Sequence, residues 1–169
     1  MVNIHSEITF HPVKRVVENE IEYNLPALQT EGAVGCDFEA IEDIIIPSLF
    51  QQVWDSISRL EPTMIKPYLI RTGMKATFPK NVGLFIANRS GGPKRGLVLA
   101  NSIGVIDSDY ANNPDNDGEI MFAFYNFSLK PLVIKKGERI GQGWFAPFYV
   151  ASNSPIIKKK RESGFGSTS

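Results

Sequence analysis

Short runs of β-branched and aromatic residues recur along the chain, and turn residues separate them. The 14 glycines and 11 prolines are spread over the whole length. Many short strands with closely spaced turn signals are typical of a sandwich, a jelly roll or a barrel. The runs that read as strands are 7–10, 44–46, 68–70, 82–87, 96–99, 103–106, 120–125, 132–134 and 143–149. The pattern therefore predicts an all-β fold.

One segment departs from this pattern and has apolar residues at helical spacing. These residues are Leu49, Phe50, Val53, Trp54, Ile57 and Leu60. Ser48 and Gln51 have the spacing of a capping box. The spacing predicts a helix over 48–60 that packs Phe50 and Trp54 on the sheet or on a neighbouring subunit. The alternative is a helix that binds a partner protein.

Composition narrows the class of protein. With 169 residues, the chain fits one domain, which we place at 1–151, and no linker divides it. The tail over 152–169 is polar, carries a Lys/Arg run and ends in glycine and serine, so we expect it to be flexible. The chain has 18 basic and 18 acidic residues, so it has no net positive charge that would attract the phosphates of a nucleic acid. A single-stranded nucleic-acid binder would fit the aromatic content but needs a basic groove.

The expected location is the cytoplasm. Cys36 is the only cysteine, which suits a reducing compartment, and it is expected to be a small buried residue. The N-terminal residues do not have a basic-then-apolar pattern, and no apolar run reaches the ~20 residues of a membrane span. We therefore expect no membrane association. His5 and His11 form no zinc pattern and are expected at the surface.

Residues 101–110 are the strongest candidate for chemistry. A short apolar strand runs into a carboxylate-rich corner, where Asp107 could act as an acid or a base. Gly104 has no side chain and would let a ligand approach the backbone. Asp107 and Asp109 would share one face of an extended strand and could bind a metal, whereas a turn at Ser108 would separate them. An ordinary β-turn remains the alternative.

Two further segments could contact a nucleotide. Residues 88–96 place an arginine, a hydroxyl and a glycine turn after a strand, which suits a phosphate, although the turn could be merely solvated and basic. At the C-terminus, Phe165 lies between two glycines and could stack on a base, with Ser167 and Thr168 donating to phosphate oxygens. An unstructured terminus with no such role is the alternative.

Five segments together resemble the five ordered signatures of the trimeric dUTPase family, the dUTP pyrophosphatases. They are residues 34–40, 89–91, 101–110, 137–142 and 164–169, and a Thr-Gly pair lies at 72–73. The resemblance covers residues from about 25 to the end. It departs from the family at Cys36 and at the final Ser169, and the helix at 48–60 and the loop at 112–117 look like insertions. These insertions are similar to those of Gram-positive bacterial or phage members.

The resemblance implies a jelly-roll-like, distorted β-barrel that forms a homotrimer with three sites at the subunit interfaces. It implies hydrolysis of dUTP to dUMP and pyrophosphate with Mg²⁺, which keeps uracil out of DNA and supplies dUMP. The tail over 152–169 would close over the site of a neighbouring subunit. No nucleic acid or membrane partner is implied, whereas a protein partner could use the helix at 48–60 or the loop at 112–117.

The same resemblance assigns roles to single residues. Asp107 would activate the attacking water, and Asp37 would hold a metal-bound water. Uracil and deoxyribose would be bound by Asn101, Gly104, Val105, Ile106, Tyr110 and Phe165. The phosphates would be bound by Arg89, Ser90, Gly91, Gln142, Gly166, Ser167, Thr168 and either Arg161 or Lys160.

Two alternatives on the same fold are kept. A dCTP deaminase would need a catalytic glutamate three residues before Asn126, where this chain has Ala123. A regulatory protein-binding member is the other alternative, and it could also be an enzyme. A pure binder would not need Asp107, Ser90 and Phe165. The intact set of these three residues therefore favours an enzyme.

Overall fold

Residues 8–59 and 65–155 are described by a computed structural model, and the regular secondary structure of these residues is mainly β-strand. The strands are β1 Thr9–Pro12, β2 Cys36–Glu39, β3 Ile44–Ile46, β4 Tyr68–Arg71, β5 Met74–Thr77, β6 Val82–Asn88, β7 Leu97–Leu99, β8 Ile103–Ile106, β9 Met121–Asn126, β10 Leu132–Ile134 and β11 Arg139–Pro147. The helices are α1 Lys14–Glu18 and α2 Leu49–Ser58, and a 3₁₀ turn spans Pro93–Arg95. Within these residues, no helix has the length and apolarity to cross a membrane. The prediction of an all-β fold with one inserted helix is confirmed.

All strand pairs are antiparallel and form four small sheets. The largest has the order β2-β11-β6-β8, and the others are β4-β9-β7, β1-β5 and β3-β10. They enclose one main core, in which Phe38, Phe122 and Phe124 are fully buried. The Phe122 ring lies against the backbone of Gly141, where an added Cβ would be 2.0 Å from the ring. Core packing thus fixes β11 in the middle of the largest sheet.

The sequence pattern did not predict three of the elements. β2 and β5 have only four residues each and include charged side chains, so neither forms an apolar run. α1 is a single short turn of helix that is stabilised by a small cluster in which Val16 is fully buried. These elements form through contacts with distant parts of the chain, and such contacts leave little local signal.

The helix α2 does not bury its apolar face on this chain's sheet, so of the two predicted arrangements only packing on a neighbouring subunit stays a prediction. Its N-terminal signal is present, because the Ser48 hydroxyl accepts a hydrogen bond from the Phe50 N–H at 3.1 Å. However, none of the helical residues is buried. Trp54 is 68% exposed and Ile57 is 64% exposed. Helical spacing identifies the apolar face of a helix but does not say what covers it.

Candidate active site

The candidate metal residue and one of the candidate phosphate residues are cross-strand neighbours on the largest sheet. Asp37 on β2 pairs with Gln142 on β11. Phe38, next to Asp37, is fully buried in the core, so Asp37 points to the opposite face of the sheet. The Gln142 side chain donates to the carbonyl oxygen of Asn88, the last residue of β6, at 3.1 Å. The fold therefore brings Asp37, Gln142 and the end of β6 to one place.

Arg89 follows β6 and turns back over Asp37. Its Nε lies 3.1 Å from one carboxylate oxygen of Asp37, and its Nη1 donates to the Arg139 carbonyl at 3.3 Å. Arg139 itself approaches the other Asp37 oxygen at 3.5 Å. Two guanidinium groups against one carboxylate leave a local excess of positive charge, which suits a phosphate. Sequence reasoning assigned no role to Arg139.

The turn after Arg89 presents Ser90 and Gly91 to solvent. The Gly92 N–H donates to the Arg89 carbonyl at 2.9 Å, and the Asn88 amide donates to the Leu97 carbonyl at 2.8 Å. These bonds close a compact turn between β6 and β7. The turn is therefore ordered by its own hydrogen bonds, and its exposed apex consists of Ser90 and Gly91.

The candidate catalytic segment begins at β8, an edge strand of the same sheet. Gly104 faces inward, because an added Cβ would lie 2.5 Å from Ile86, while Val105 is 63% exposed on the other face. The glycine is thus required by core packing, which sequence reasoning did not consider. Val105 and Ile103 present an apolar surface outward, while Asn101 lies within 3.3 Å of the Gly104 Cβ position.

Asp107 lies at the end of β8 in an exposed turn. The Tyr110 N–H donates to the Asp107 carbonyl at 3.1 Å and closes this turn. Asp107 and Asp109 therefore do not lie on an extended strand, which removes the basis for a shared metal site. Among residues 8–59 and 65–155, no group of three or more His, Cys, Asp or Glu side chains could hold a metal ion.

Tyr110 is buried rather than open to solvent. Its hydroxyl donates to the Glu119 carbonyl at 3.1 Å and accepts from the Asn116 amide at 2.7 Å. The Glu119 carboxylate is fully buried and accepts from Arg15 at 3.0 Å and from Arg71 Nε at 2.9 Å. Sequence reasoning missed this cluster, because its members are up to 104 residues apart.

Gly73 completes the shell around Glu119. Its N–H donates to the Glu119 carboxylate at 2.9 Å, and its φ is +72°, a conformation that favours glycine. An added Cβ would also lie 2.9 Å from both Ile41 and Val16. The Thr-Gly pair noted in the sequence therefore has a structural reason here. Hydrogen bonding to Glu119 also raises the pKa of Arg71.

The loop at 111–118 is polar in composition, yet part of it is buried. Asn113 is only 6% exposed, and Gly118 is buried. Asp117 accepts from Lys75 Nζ at 2.9 Å and from the Lys14 N–H at 2.8 Å. Burial would raise the pKa of Asp117, but these hydrogen bonds outweigh it and hold the pKa below its usual value.

Asp117→Asn is expected to lower the melting temperature at pH 7, because it weakens the contacts to Lys75 and Lys14. A carboxylate with a depressed folded-state pKa contributes stability above its unfolded pKa, and this contribution is lost as the pH falls through the folded pKa. The difference in melting temperature between Asp117→Asn and wild-type protein should therefore become smaller below about pH 4. Thermal unfolding from pH 7 to pH 3, with the exposed Asp115→Asn as control, measures it. A constant difference down to pH 3 would contradict this.

Cys36 is partly buried at the start of β2. Burial raises the pKa of its thiol, and the neighbouring Asp37 raises it further. The thiolate is the reactive form of cysteine, so this environment favours an inert side chain.

The candidate residues of one chain fall into two groups on the largest sheet. Ile106 pairs with Leu84 on β6, so Asp107 is level with Gly83. Arg89 lies six residues further along the same strand direction, a separation of roughly 20 Å. One described chain therefore does not bring Asp107 to its own phosphate residues. Phe165, Gly166, Ser167, Thr168, Arg161 and Lys160 lie outside the described residues.

The fold is that of known dUTPases. A dUTPase from Streptococcus mutans superposes with a TM-score of 0.68 and 31% sequence identity, covering 85% of this chain and 98% of that one. A mutant dUTPase from phage phi11 of S. aureus superposes with a TM-score of 0.61 at 12% identity, covering 89% of this chain and 97% of that one. That structure describes the coordination of a structural Mg(II) ion. At such low identity the likeness concerns the fold alone.

Sequence comparison places the chain more narrowly. The family model for dUTPase matches residues 22–169. A deoxyuridine 5′-triphosphate nucleotidohydrolase from Lactococcus lactis is 43% identical over 147 residues, which cover 86% of this chain and 87% of that protein. The chain belongs to the dUTPase family, and the predicted family and jelly-roll-like fold are confirmed.

Proposed function

We propose that this protein hydrolyses dUTP to dUMP and pyrophosphate, and so keeps uracil out of DNA and supplies dUMP. Family membership supports the substrate. The observation that carries the chemistry is the cluster of Asp37, Arg89 and Gln142 on one face of the largest sheet, with a second arginine beside it; Asp37 itself is buried. Such a cluster suits the charge of a triphosphate.

In this proposal the hairpin at 101–110 binds the nucleoside. Uracil pairs with the backbone at Gly104, Val105 and Ile106 and with the Asn101 amide. A close fit leaves no room for the methyl group of thymine. Tyr110 lies against the deoxyribose and rejects a 2′-hydroxyl, while Phe165 from another subunit covers the base.

The phosphates are assigned to a second set of residues. Arg89, Ser90 and Gly91 contact them from the turn after β6, and Gln142 contacts them from β11. The tail over 152–169 closes over a neighbouring site with Gly166, Ser167, Thr168 and either Arg161 or Lys160. Closure of such a segment excludes water and completes a site.

Asp107 is assigned as the general base. Its carboxylate takes a proton from a water molecule, whose oxygen attacks the α-phosphorus in line with the leaving group. The bond from the α-phosphorus to the bridging oxygen breaks, and pyrophosphate leaves. The exposure of Asp107 supports this assignment, because an exposed carboxylate is accessible to a substrate held by another chain. Arginine at the phosphates stabilises the charge that develops.

Mg²⁺ fits as an ion that arrives with the triphosphate rather than one held by a protein cage. Mg²⁺ keeps several waters and binds through one or two carboxylates and substrate phosphates. Asp37 already has an arginine at each oxygen, and residues 8–59 and 65–155 offer no cluster for direct ligation. Asp37 would accept a hydrogen bond from a metal-bound water. When bound, Mg²⁺ neutralises charge on the phosphates.

A homotrimer is part of the proposal, because the two groups of site residues are roughly 20 Å apart in one chain. A site that joins Asp107 of one chain to Arg89 of another requires association. The outer face of the largest sheet suits a contact between copies. Trp144 stacks on Phe85 with ring centroids 5.9 Å apart, and the neighbouring Val105 is 63% exposed.

A second candidate role is binding of a regulatory protein. The observation that favours it is the exposed face of α2, where Phe50, Trp54 and Ile57 are all more than half exposed. Such a face needs a partner or a second copy to cover it. The loop at 112–117 is a weaker candidate, because several of its side chains turn inward. The cytoplasm remains the proposed location, since it suits a single cysteine.

Release of pyrophosphate from dUTP, dTTP, dCTP and UTP with Mg²⁺ tests the function. Turnover is expected for dUTP, with the other three nucleotides slower by orders of magnitude. Equal rates with dTTP would contradict the assigned base pocket, and equal rates with UTP would contradict the role of Tyr110. A folded sample that cleaves none of the four would overturn the enzymatic proposal and favour protein binding.

A further inference from the structure

The loop at 111–118 folds around two inward-pointing amides. The Asn113 oxygen accepts from the N–H groups of Asp115 and Asn116, both at 3.1 Å. Its nitrogen donates to the Tyr110 carbonyl at 2.9 Å and to the Asn116 side-chain oxygen at 2.8 Å. Both polar atoms of Asn113 are therefore used inside the loop, as expected for an amide that is almost fully buried.

Asn116 connects this loop to the tyrosine. Its side-chain oxygen accepts from the Gly118 N–H at 3.0 Å as well as from Asn113. Its nitrogen donates to the Tyr110 hydroxyl at 2.7 Å. The Asn116 side-chain N–H is thus the contact between this loop and the Tyr110 hydroxyl.

The Tyr110 hydroxyl is held from two directions. It accepts from Asn116 and donates to the Glu119 carbonyl at 3.1 Å. Glu119 is itself fixed, because its buried carboxylate is bound by Arg15, by Arg71 and by a backbone N–H. The far end of the ring is therefore anchored to a rigid part of the fold as well as to the loop.

We propose that Asn116 is a positioning residue for sugar selectivity, acting through Tyr110. The inference rests on the proposed function, in which the tyrosine ring rejects a 2′-hydroxyl. Steric rejection works only if the ring cannot retreat, and the two hydrogen bonds on its hydroxyl prevent this. The loop that looked like a partner surface then sets selectivity.

A positioning role for Asn116 predicts different behaviour for the two nucleotides, which a purely structural role would not. dUTP has no 2′-hydroxyl and does not press on the ring, so a looser ring changes its turnover little. UTP presses on the ring, and its turnover should rise when the ring can move. General damage to the fold would instead lower turnover of both nucleotides.

Asn116→Ala removes the contact to the ring. It takes away the N–H that donates to the Tyr110 hydroxyl and leaves no side-chain oxygen to which that hydroxyl could donate instead. Tyr110→Phe removes the hydroxyl itself. Asp115→Asn is the matched control, since this exposed side chain lies in the same loop and only its N–H takes part in the hydrogen bonds described.

The experiment measures kcat/KM for dUTP and UTP with the full-length chain. We expect kcat/KM for UTP to rise about fivefold in Asn116→Ala, the size of one hydrogen bond, with kcat/KM for dUTP nearly unchanged. Tyr110→Phe removes both hydrogen bonds on the ring, so the ratio of kcat/KM for UTP to that for dUTP should rise at least as much. Adding Asn116→Ala to Tyr110→Phe should shift this ratio no further, because the ring then has no hydroxyl for Asn116 to hold. The Asp115→Asn control should match wild-type protein.

The possible outcomes distinguish an error in the role of Asn116 from an error in the proposed function. If dUTP turnover is normal in wild-type protein but the ratio of dUTP to UTP is unchanged in both variants, the role of Asn116 is wrong and the proposed function stands. A parallel fall for both nucleotides, or additive shifts in the double variant, would also overturn it. Absence of dUTP turnover in wild-type protein would overturn the proposed function and this inference together.

Discussion

Asp107→Asn is expected to lower kcat for dUTP by about 10²–10⁴-fold, the range for loss of a general base. Asparagine keeps the size of the side chain but cannot take a proton from water. The turn is closed by backbone atoms, through the Tyr110 N–H and the Asp107 carbonyl, so the fold should persist. Steady-state kinetics measure the loss, and calorimetric binding of a non-hydrolysable dUTP analogue should be unchanged.

Asp109→Asn is the matched control for this variant, because it removes a carboxylate from the same turn. It should keep most of the activity. An Asp107→Asn variant with more than about a tenth of the wild-type rate would show that another group is the base. Lost binding of the analogue together with lost turnover would instead indicate that Asp107 holds the substrate.

The same variant also tests whether the site is shared between chains. Arg89→Ala should be inactive for a different reason, loss of phosphate binding. When the two inactive variants are unfolded together and refolded, about one site in four should combine an intact Asp107 with an intact Arg89, by random pairing of chains. Recovery of activity supports a shared site, whereas two variants that stay inactive in the mixture would place both residues in one chain's site.

Glu119→Ala is expected to cost roughly 3 kcal/mol of unfolding free energy, the low end for breaking a buried ion pair. Glu119 is fully buried and accepts from Arg15, Arg71 and the Gly73 N–H. Its loss leaves the donor groups of these three residues without their acceptor. The low end applies because the side chains of Arg15 and Arg71 are 29% and 39% exposed and can reach water. Urea unfolding followed by fluorescence measures this.

Asp43→Asn provides the comparison with a surface pair. Asp43 bonds to Lys135 at 2.7 Å, but both side chains are more than half exposed. Exposed pairs contribute little, so the unfolding midpoint should not move. If Glu119→Ala were as mild as Asp43→Asn, the buried cluster would not stabilise the fold. A small loss of stability with a large loss of dUTP selectivity would show that Glu119 acts mainly through Tyr110.

The strands that lay in continuous apolar runs could be predicted from the sequence, since hydrophobic periodicity is a local signal. β3, β8 and β10 begin and end at the predicted residues. β11 begins four residues earlier than predicted, because Gly141 and Gly143 weaken the strand pattern where the core needs small residues.

The same distinction between local and long-range signals explains which residues of the candidate site could be predicted. Asp107, Arg89 and Gln142 lie in short segments with a local pattern, and sequence reasoning selected them. Glu119 and Arg139 were missed because their importance depends on partners far along the chain. The inward fold of the loop at 111–118 was missed as well, since asparagine is common both in exposed turns and in buried hydrogen-bonded ones.

The separation of Asp107 from Arg89 within one chain has a genetic consequence. Each active site in the proposed trimer needs an intact Asp107 from one chain and an intact Arg89 from another. The fraction of active sites therefore falls more steeply than the fraction of intact chains. An allele that changes both residues would inactivate sites in trimers that also contain intact chains. With equal expression, only about a quarter of the sites would combine an intact Asp107 with an intact Arg89. Such an allele would behave as partially dominant, whereas an allele that merely prevents folding would be recessive.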